Sequence, residues 1–360
     1  MATLALSGLT ARYGKVTAID SLDLTVGDGE FFVILGPSGA GKTTTLKSVA
    51  GLVELDAGSV SIGGRSMDGV EPYHRNVAMA FESYALYPQK TVFANLASPL
   101  KSGRTGRYSP ADIAQRIELV TTTLGIAPLR DRFPRELSNG QRQRVALGRV
   151  LVRPADVYLL DEPLSHLDAK LRAAMRAELK NLGAMSHTTT LYVTHDYQEA
   201  LALGDRLAVL REGMLVQVGT PEQLWRAPAD TFVAKALGQP EINLVEGTVS
   251  DGELRVLGVS VECPEVAPGP VRVGIRPRDL AVGAGALEFT GRVGLAERLG
   301  RLVELTVDVA GTPLIVVTDR AVSEGSSITL HVAPADVHIF AAGSADTARL
   351  GGLAVREGVS

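Results

Sequence analysis

Short apolar runs separated by helical patterns fill the first two thirds of the chain. The run Phe31–Leu35 contains only aromatic, β-branched and leucine residues and ends at a glycine–proline pair, which is typical of a buried strand entering a turn. Further strands are predicted at Asn76–Phe81, Val157–Leu160, Thr190–Val193 and Leu207–Leu210. Helical patterns occupy Pro110–Leu124, Gln141–Val152, Ala169–Met185 and Tyr197–Leu203. Strands that alternate with helices predict a mainly parallel sheet covered on both faces.

Two regions depart from this alternation. Residues from about 92 to 152 are mostly helical in pattern, so we expect a helical subdomain there, inserted into a sheet domain that spans residues 1–237. After Pro240, short runs rich in valine and leucine are separated by glycine and proline, which predicts a small antiparallel barrel or sandwich over residues 241–345. Weak patterning predicts a frayed tail at 346–360.

Composition excludes several classes of protein. With 45% apolar and 21% charged residues, the chain has the balance of a folded domain, and its longest apolar runs are far shorter than the ~20 residues of a membrane-spanning helix. No basic stretch precedes an apolar core at the N-terminus, so we expect no secretory signal. Cys263 is the single cysteine, so no internal disulfide can form. The net charge of -4 argues against a generic nucleic-acid binder.

A phosphate-binding loop lies between the first predicted strand and a helical segment. Its residues match G-x-x-x-x-G-K-[ST] followed by a second threonine: Gly36, Pro37, Ser38, Gly39, Ala40, Gly41, Lys42, Thr43 and Thr44. Glycines let backbone N–H groups face a phosphate, and the helix N-terminus adds its dipole. Lys42 would reach the β- and γ-phosphates, and the Thr43 hydroxyl would bind Mg²⁺.

Two adjacent acids end another predicted strand. In the sequence VYLLDEP, Asp161 would hold Mg²⁺ through water, and Glu162 would polarise the water that attacks the γ-phosphate. Taken alone, such a pair is as often a solvated turn. Its position well after the phosphate loop in an alternating chain favours the catalytic interpretation.

A capped helix begins after Leu137. Ser138 is well placed as the N-cap of the helix QRQRVALGRVLV, and the free N–H groups at such an end suit a phosphate. From spacing alone, a plain N-cap is the simpler interpretation.

Taken together, these motifs resemble the ATP-binding subunit of ABC transporters, in particular the ATPases of maltose-type sugar importers. The similar segments are GPSGAGKTT (phosphate loop), FESYALYPQKTVFANL (Q-loop region), LSNGQRQRVALGRVL (signature helix), VYLLDEP, LSHLDAKLR (D-loop) and LYVTHDYQEAL. Tyr13 falls where the family stacks an aromatic ring on adenine. GIRPRDL and the later strands resemble the family's regulatory domain. The resemblance covers nearly the whole chain.

The resemblance implies an α/β P-loop ATPase domain, with a RecA-like core and a helical subdomain, followed by an all-β OB-type (TOBE) barrel domain. ATP and Mg²⁺ are the implied ligands. Two ATPase subunits would dimerise head to tail, either as two copies of this chain or as a pair with a non-identical paralogue. The signature residues of one chain would then contact the nucleotide of the other chain: Ser138, Asn139, Gly140 and Gln141. Asp168 of the D-loop would support that contact, and His195 would grip the γ-phosphate in cis.

The resemblance also implies membrane partners. A segment after the Q-loop would contact a cytoplasmic helix of one of two transmembrane permease subunits through Tyr84, Leu86, Tyr87 and Pro88. An extracytoplasmic solute-binding protein would act indirectly, and no nucleic-acid partner is expected. The chain would then lie peripherally at the cytoplasmic face of the inner or plasma membrane.

Two positions depart from the family pattern. Glu82 replaces the Q-loop glutamine, and Asn139 replaces the first glycine of the signature, although asparagine tolerates left-handed backbone better than most residues. Glutamate has a similar reach and is an oxygen ligand for Mg²⁺, so we expect Glu82 to sustain hydrolysis. The alternative is that it marks a weakened site in an unequal pair of ATPases.

The sequence leaves the transported solute open. A sugar or polyol importer is the leading hypothesis, and an importer of another solute, such as a phosphodiester, polyamine or metal ion, is the second. A non-transport ABC ATPase would need a long coiled-coil insert or paired ATPase halves, which this sequence lacks. A further alternative is a free regulatory protein whose barrel binds a small ligand, but the only aromatic residues after Pro240 are Phe289 and Phe340, which weakens a site that stacks on a sugar.

Overall fold

The computed structural model of the chain describes residues 2–81, 86–101, 108–165, 167–343 and 346–353, without the side chains of 182–186. Glu82 and Tyr84 lie outside the described residues. The chain forms two units, residues 1–221 and 222–360. None of the described helices is both long and apolar enough to span a membrane.

The first unit contains two sheets and the helices around them. Its strands are β1 (Leu4–Tyr13), β2 (Val16–Val26), β3 (Phe31–Leu35), β4 (Ala57–Ile62), β5 (Arg65–Ser66), β6 (Val77–Ala80), β7 (Val157–Asp161), β8 (Thr189–Thr194), β9 (Arg206–Arg211) and β10 (Met214–Gly219). Its helices are α1 (Lys42–Ala50), α2 (Val92–Lys101), α3 (Pro110–Thr123), α4 (Asn139–Leu151), α5 (Ala169–Ser186) and α6 (Tyr197–Leu203).

The central sheet has the strand order β10-β9-β3-β8-β7-β6. Strands β6, β7, β8, β3 and β9 run parallel, and β10 pairs antiparallel with β9 at one edge. All five residues of β3 are buried, because layers cover both faces of this sheet and an alternating pattern is not required. Burying side chains such as Phe32 and Ile34 stabilises the fold by about 1.5–3 kcal/mol each. The predicted parallel sheet is confirmed.

A second sheet, antiparallel, was not predicted. Its order is β2-β1-β4-β5, and buried and exposed residues alternate along much of β1 and β2. The polar residues on its outer face interrupt the apolar runs, so a search for continuous runs does not detect these strands. Its inner face shares one hydrophobic core with β3, α1 and the strands on either side of β3.

The described part of residues 92–151 is mostly helical. Helices α2, α3 and α4 pack against one another, and serine caps start two of them. The Ser109 hydroxyl accepts from the N–H of Asp112, and Pro110 occupies the first turn, where a missing N–H costs nothing.

The second unit is mostly antiparallel sheet. Two short helices, α7 (Pro221–Arg226) and α8 (Thr231–Ala236), precede the strands β11 (Asn243–Ser250), β12 (Glu253–Val256), β13 (Val259–Glu262), β14 (Gly269–Ile275), β15 (Ala281–Val282), β16 (Leu287–Leu299), β17 (Leu302–Val309), β18 (Thr312–Thr318), β19 (Ser327–Val332), β20 (Val337–Ala341) and β21 (Arg349–Gly352). They form two sheets, β13-β12-β11-β14-β20-β21 and β15-β19-β16-β17-β18, around one apolar core that includes Val273, Phe289 and Leu305.

Two boundaries differ from the sequence-based expectation. The division between units falls after Pro221 and not near residue 237, because α7 and α8 pack on the second unit: Arg276 donates to the carbonyl oxygens of Trp225 and Ala234. Within the tail expected to be frayed, Arg349–Gly352 form β21, since the edge of β20 offers backbone partners there. Residues 354–360 lie outside the described part.

Candidate active site

The loop between β3 and α1 is shaped by glycines. Gly41 caps α1 with a left-handed φ of 96°, and a Cβ there would lie 2.4 Å from the carbonyl oxygen of Ala18. A Cβ on Gly36 would lie 2.6 Å from the carbonyl oxygen of Leu210. Both distances are far too short for a side chain, so the close approach of neighbouring backbone requires glycine at these positions.

Lys42 is held inside this loop. The side chain is 6% exposed, and its Nζ donates to the carbonyl oxygens of Gly36 at 2.9 Å and Pro37 at 3.0 Å. Pro37, Ser38 and Gly39 are exposed at the rim, Ala40 is buried, and Thr43 and Thr44 are half-buried in the first turn of α1. An ammonium held among backbone carbonyls beside a helix N-terminus suits a polyphosphate.

The two acids lie next to this loop, as the motif pair predicts. Asp161 ends β7, is almost fully buried, and accepts a hydrogen bond of 2.9 Å from the Thr43 hydroxyl. Hydroxyl and carboxylate oxygens are the ligand types that Mg²⁺ prefers, so this pair fits the ion. Among the described residues there is no group of three or more His, Cys, Asp and Glu side chains that could hold a metal.

Glu162 adopts an unusual backbone conformation. Its φ is 44°, which costs about 1–2 kcal/mol for a residue with a Cβ. The backbone N–H donates to the carbonyl oxygen of Val193 on β8 at 3.1 Å, which fixes the turn. One carboxylate oxygen, Oε1, lies 3.4 Å from Nζ of Lys42. Strain of this kind is concentrated at functional sites.

His195 completes the cluster. It follows β8 directly, its side chain is 57% exposed, and its Nδ1 lies 2.8 Å from Oε2 of Glu162. Asp196 comes next and caps α6 by accepting from the N–H groups of Gln198 and Glu199. The carboxylate of Glu162 therefore lies between a lysine that binds the loop and a histidine that can face solvent.

The predicted signature residues begin α4. The Ser138 hydroxyl accepts from the N–H of Gln141, and the Gln141 side chain accepts from the N–H of Ser138. Asn139 is the first residue of the helix, and its backbone is not left-handed. The tolerance of asparagine for left-handed backbone is therefore not used at this position. Gly140 packs closely on the D-loop, because a Cβ there would lie 3.1 Å from Cδ2 of Leu167.

The remaining predicted residues that the structure describes are exposed or half-buried. Tyr13 ends β1 and is 51% exposed. Asp168 is exposed and caps α5 by accepting from the N–H of Leu171 at 2.9 Å. Leu86 is half-buried, whereas Tyr87 and Pro88 are exposed.

Sequence reasoning missed one residue that shapes this surface. Asn95 on α2 is fully buried, accepts from the N–H of Tyr87, and donates to the carbonyl oxygens of Tyr87, Lys90 and Thr91. The only signal was a polar residue on the otherwise apolar face of a helix.

Comparison with known proteins assigns the chain to a family. The family model described as ABC transporter matches residues 19–165, and the model described as TOBE domain matches residues 273–340. The sn-glycerol-3-phosphate import ATP-binding protein UgpC of Cereibacter sphaeroides is 42% identical over 94% of this chain and 98% of its own length. The chain belongs to the ABC transporter ATPase family. A second member, the trehalose/maltose import ATP-binding protein MalK of Thermococcus litoralis, is 49% identical over 70% of this chain and 68% of its own length.

Solved structures of ABC ATPases agree with the fold. A bacterial ABC transporter cassette solved as a dimer matches with a TM-score of 0.56 and 28% identity, over 61% of this chain and 98% of the cassette. The same cassette in a post-hydrolysis dimer with ADP and Pi matches with a TM-score of 0.56 and 27% identity. The fold class and the ATPase activity implied by the sequence motifs are thereby confirmed.

Proposed function

We propose that this ABC ATPase energises an importer for a sugar or polyol, and that closure of an ATPase dimer drives its membrane subunits. The observation that carries the catalytic part is the contact of Glu162 with both Lys42 and His195, which assembles the phosphate loop, the acid and the histidine in one cluster. The relatives named as importers of sn-glycerol-3-phosphate and of trehalose and maltose support the substrate class.

The phosphate loop binds ATP and orients its terminal phosphates. Backbone N–H groups from Gly39 to Thr43 and the ammonium of Lys42 provide the positive charge, and the exposed ring of Tyr13 stacks on adenine. Thr43 and Asp161 would hold Mg²⁺, and the bound ion would supply positive charge beside the phosphate oxygens.

Glu162 acts as the general base. A carboxylate held at the end of β7 can accept the proton of the water that attacks the γ-phosphate, and proton transfer of this kind accelerates reactions by about 10²–10⁴-fold. His195 donates to the γ-phosphate and orients Glu162 through Nδ1. The contact between His195 and Glu162 is possible because the two residues directly follow the ends of the adjacent parallel strands β8 and β7.

The signature of one subunit completes the site of the other. The N-terminus of α4 is exposed at Ser138 and Asn139, and its free N–H groups and positive dipole end suit a γ-phosphate from a partner. Asp168 supports that contact from the D-loop. The related cassette is solved as a dimer, which supports a pair of ATPase subunits formed with a second copy or with a paralogue. The head-to-tail arrangement of that pair is part of the proposal.

A surface beside β6 receives one of the two permease subunits. β6 is an edge strand, and a cleft of about 210 Å³ next to it is lined by Phe81, Pro99 and Arg149 among others. The exposed ring of Tyr87 lies against the cations of Lys90 and Arg149, and the buried Asn95 fixes the backbone around it. A rigid, partly apolar surface of this kind suits a cytoplasmic helix of one of the two permease subunits. The chain would then be peripheral to the cytoplasmic face of the membrane.

The experiment is reconstitution of the chain with its co-purified membrane subunits and a solute-binding protein in proteoliposomes. Addition of maltose, trehalose or sn-glycerol-3-phosphate should stimulate ATP hydrolysis and be accompanied by solute uptake, whereas spermidine should do neither. Stimulation by the polyamine alone would favour the alternative importer class. Recovery of ribosomes or DNA without membrane subunits would contradict a role in transport.

A further inference from the structure

One guanidinium joins two loops of the ATPase unit. Arg172 lies in the first turn of α5, where its Nη2 donates to the carbonyl oxygen of Leu167 at 3.1 Å. Its Nη1 donates to Oδ2 of Asp196 at 3.3 Å, and its Nε lies 3.9 Å from Oε1 of Glu199. Leu167 belongs to the loop after β7, and Asp196 to the loop after β8. The side chain therefore connects the D-loop with the loop that carries His195.

A buried acid lies beside the guanidinium, 3.9 Å from its Nε. Glu199 is almost fully buried and accepts from the Tyr192 hydroxyl and the Thr194 hydroxyl, both at 2.8 Å. A carboxylate inside a protein requires compensation by hydrogen bonds and an opposite charge, and Arg172 provides the charge. Because the planar guanidinium presents donors in fixed directions, a shift of either loop would break at least one of its contacts.

Each end of this connection leads to a different part of the catalytic machinery. On one side, the side chain of Leu167 packs against Gly140. A Cβ added at Gly140 would lie only 3.1 Å from Cδ2 of Leu167. On the other side, Asp196 follows His195, whose Nδ1 contacts Glu162. The contacts thus run without a break from the signature helix to the catalytic carboxylate of the same chain.

We propose that Arg172 is a positioning residue that couples the two ATP sites of the dimer. The proposal rests on the head-to-tail dimer proposed above, in which the signature of a chain touches one nucleotide and its Glu162 acts on the other. Seating of Gly140 against the partner's nucleotide sets the D-loop, Arg172 transmits that position to Asp196, and His195 brings Glu162 into place. The side chain touches no reacting atom and acts through His195.

The test uses the full transporter with the variants R172K and D196N. Lysine keeps the charge but cannot contact Leu167 and Asp196 together, and asparagine keeps a cap for α6 but turns a donor toward the guanidinium. We expect either variant to lower kcat for ATP by about 3- to 30-fold, in the range of coupling effects, with KM for ATP nearly unchanged and the Hill coefficient reduced toward one. R176A, one turn further along α5, is the matched control and should retain both the rate and the cooperativity.

A double-mutant cycle separates coupling from simple damage. The R172K/D196N protein should be no slower than the worse single variant, because each substitution breaks the same connection. Additive losses, a wild-type Hill coefficient in both single variants, or an equal loss in R176A would overturn the proposal. If R172K fails to fold, D196N alone decides, and normal cooperativity in D196N would contradict the coupling. These results differ from a failure of the proposed dimer itself, which would show as a Hill coefficient of one in the wild type.

Discussion

The side chains of His195 and Glu162 are in direct contact, with Nδ1 of His195 2.8 Å from Oε2 of Glu162. The other oxygen of the same carboxylate faces Nζ of Lys42 at 3.4 Å. Both carboxylate oxygens of Glu162 therefore contact groups, Lys42 and His195, that donate to the γ-phosphate in the proposed mechanism. A phosphate that takes Lys42 as its donor would free Oε1 of Glu162 to accept a proton from water, while Nδ1 of His195 keeps the carboxylate oriented through Oε2.

Replacement of Lys42 should abolish turnover. K42A removes the only side-chain ammonium of the phosphate loop, so we expect ATP hydrolysis by the assembled transporter to fall by about 100-fold or more. The control is K47A, a lysine near the end of the same helix α1, which should keep the rate. Unchanged hydrolysis in K42A would show that this loop does not bind the phosphates of ATP.

Glu162→Gln should trap a closed dimer. Glutamine keeps the shape of the side chain but loses the base, so ATP should bind and hydrolysis should fall by about 10²–10⁴-fold. Light scattering in the presence of ATP and Mg²⁺ should show dimers of the variant, alone or with a paralogous ATPase. A wild-type rate of hydrolysis would contradict the role given to Glu162.

Two truncated proteins should differ in stability. A chain that ends at Pro221 stops at the division between the units, whereas one that ends at Gly238 keeps α7 and α8 without the Arg276 side chain that binds the carbonyl oxygens of Trp225 and Leu237. We expect both to bind ATP, and the longer one to aggregate more readily. Gel filtration and nucleotide titration measure the two properties, and loss of ATP binding by a well-folded shorter chain would show that the second unit is needed for the site.

The stability of the ATPase unit should depend on Glu199 in a pH-dependent way. Burial raises the pKa of Glu199, although hydrogen bonds from Thr194 and Tyr192 and the charge of Arg172 oppose the rise, and the charge of Asp196 adds to it. The folded chain therefore binds this proton more tightly than the unfolded chain. The stabilising contribution is complete below the ordinary glutamate pKa of about 4.3 and is lost as the pH rises through the raised value.

E199Q does not titrate and provides the comparison. The difference in unfolding free energy, wild type minus E199Q, should fall as the pH is raised from about 4 to neutral. Denaturant unfolding at several pH values measures this difference, and E178Q on α5 serves as the matched control. A difference that grows with pH would mean that the carboxylate is better stabilised as an anion than its burial indicates.

Local patterns along the chain were sufficient for most elements near the chemistry. The apolar run of β3 followed by a glycine-rich loop, the serine cap of α4, and the acids that end β7 were all predicted from neighbouring residues. Such features depend on interactions within a few positions of the chain, such as a missing side chain at Gly41 or a hydroxyl at Ser138, so the sequence contains their physical cause. The order of motifs was likewise enough to indicate the family.

Contacts between distant segments were decided only by the tertiary structure. The strand order β3-β8-β7 places strands from late in the sequence beside the phosphate loop, and this pairing brings Lys42, Glu162 and His195 together. The connection through Arg172 to Asp196 also joins loops that no local pattern relates. Hydrophobic periodicity reports that a segment has a buried face, but it does not report which segment covers that face. That choice depends on the simultaneous packing and hydrogen bonding of the whole unit.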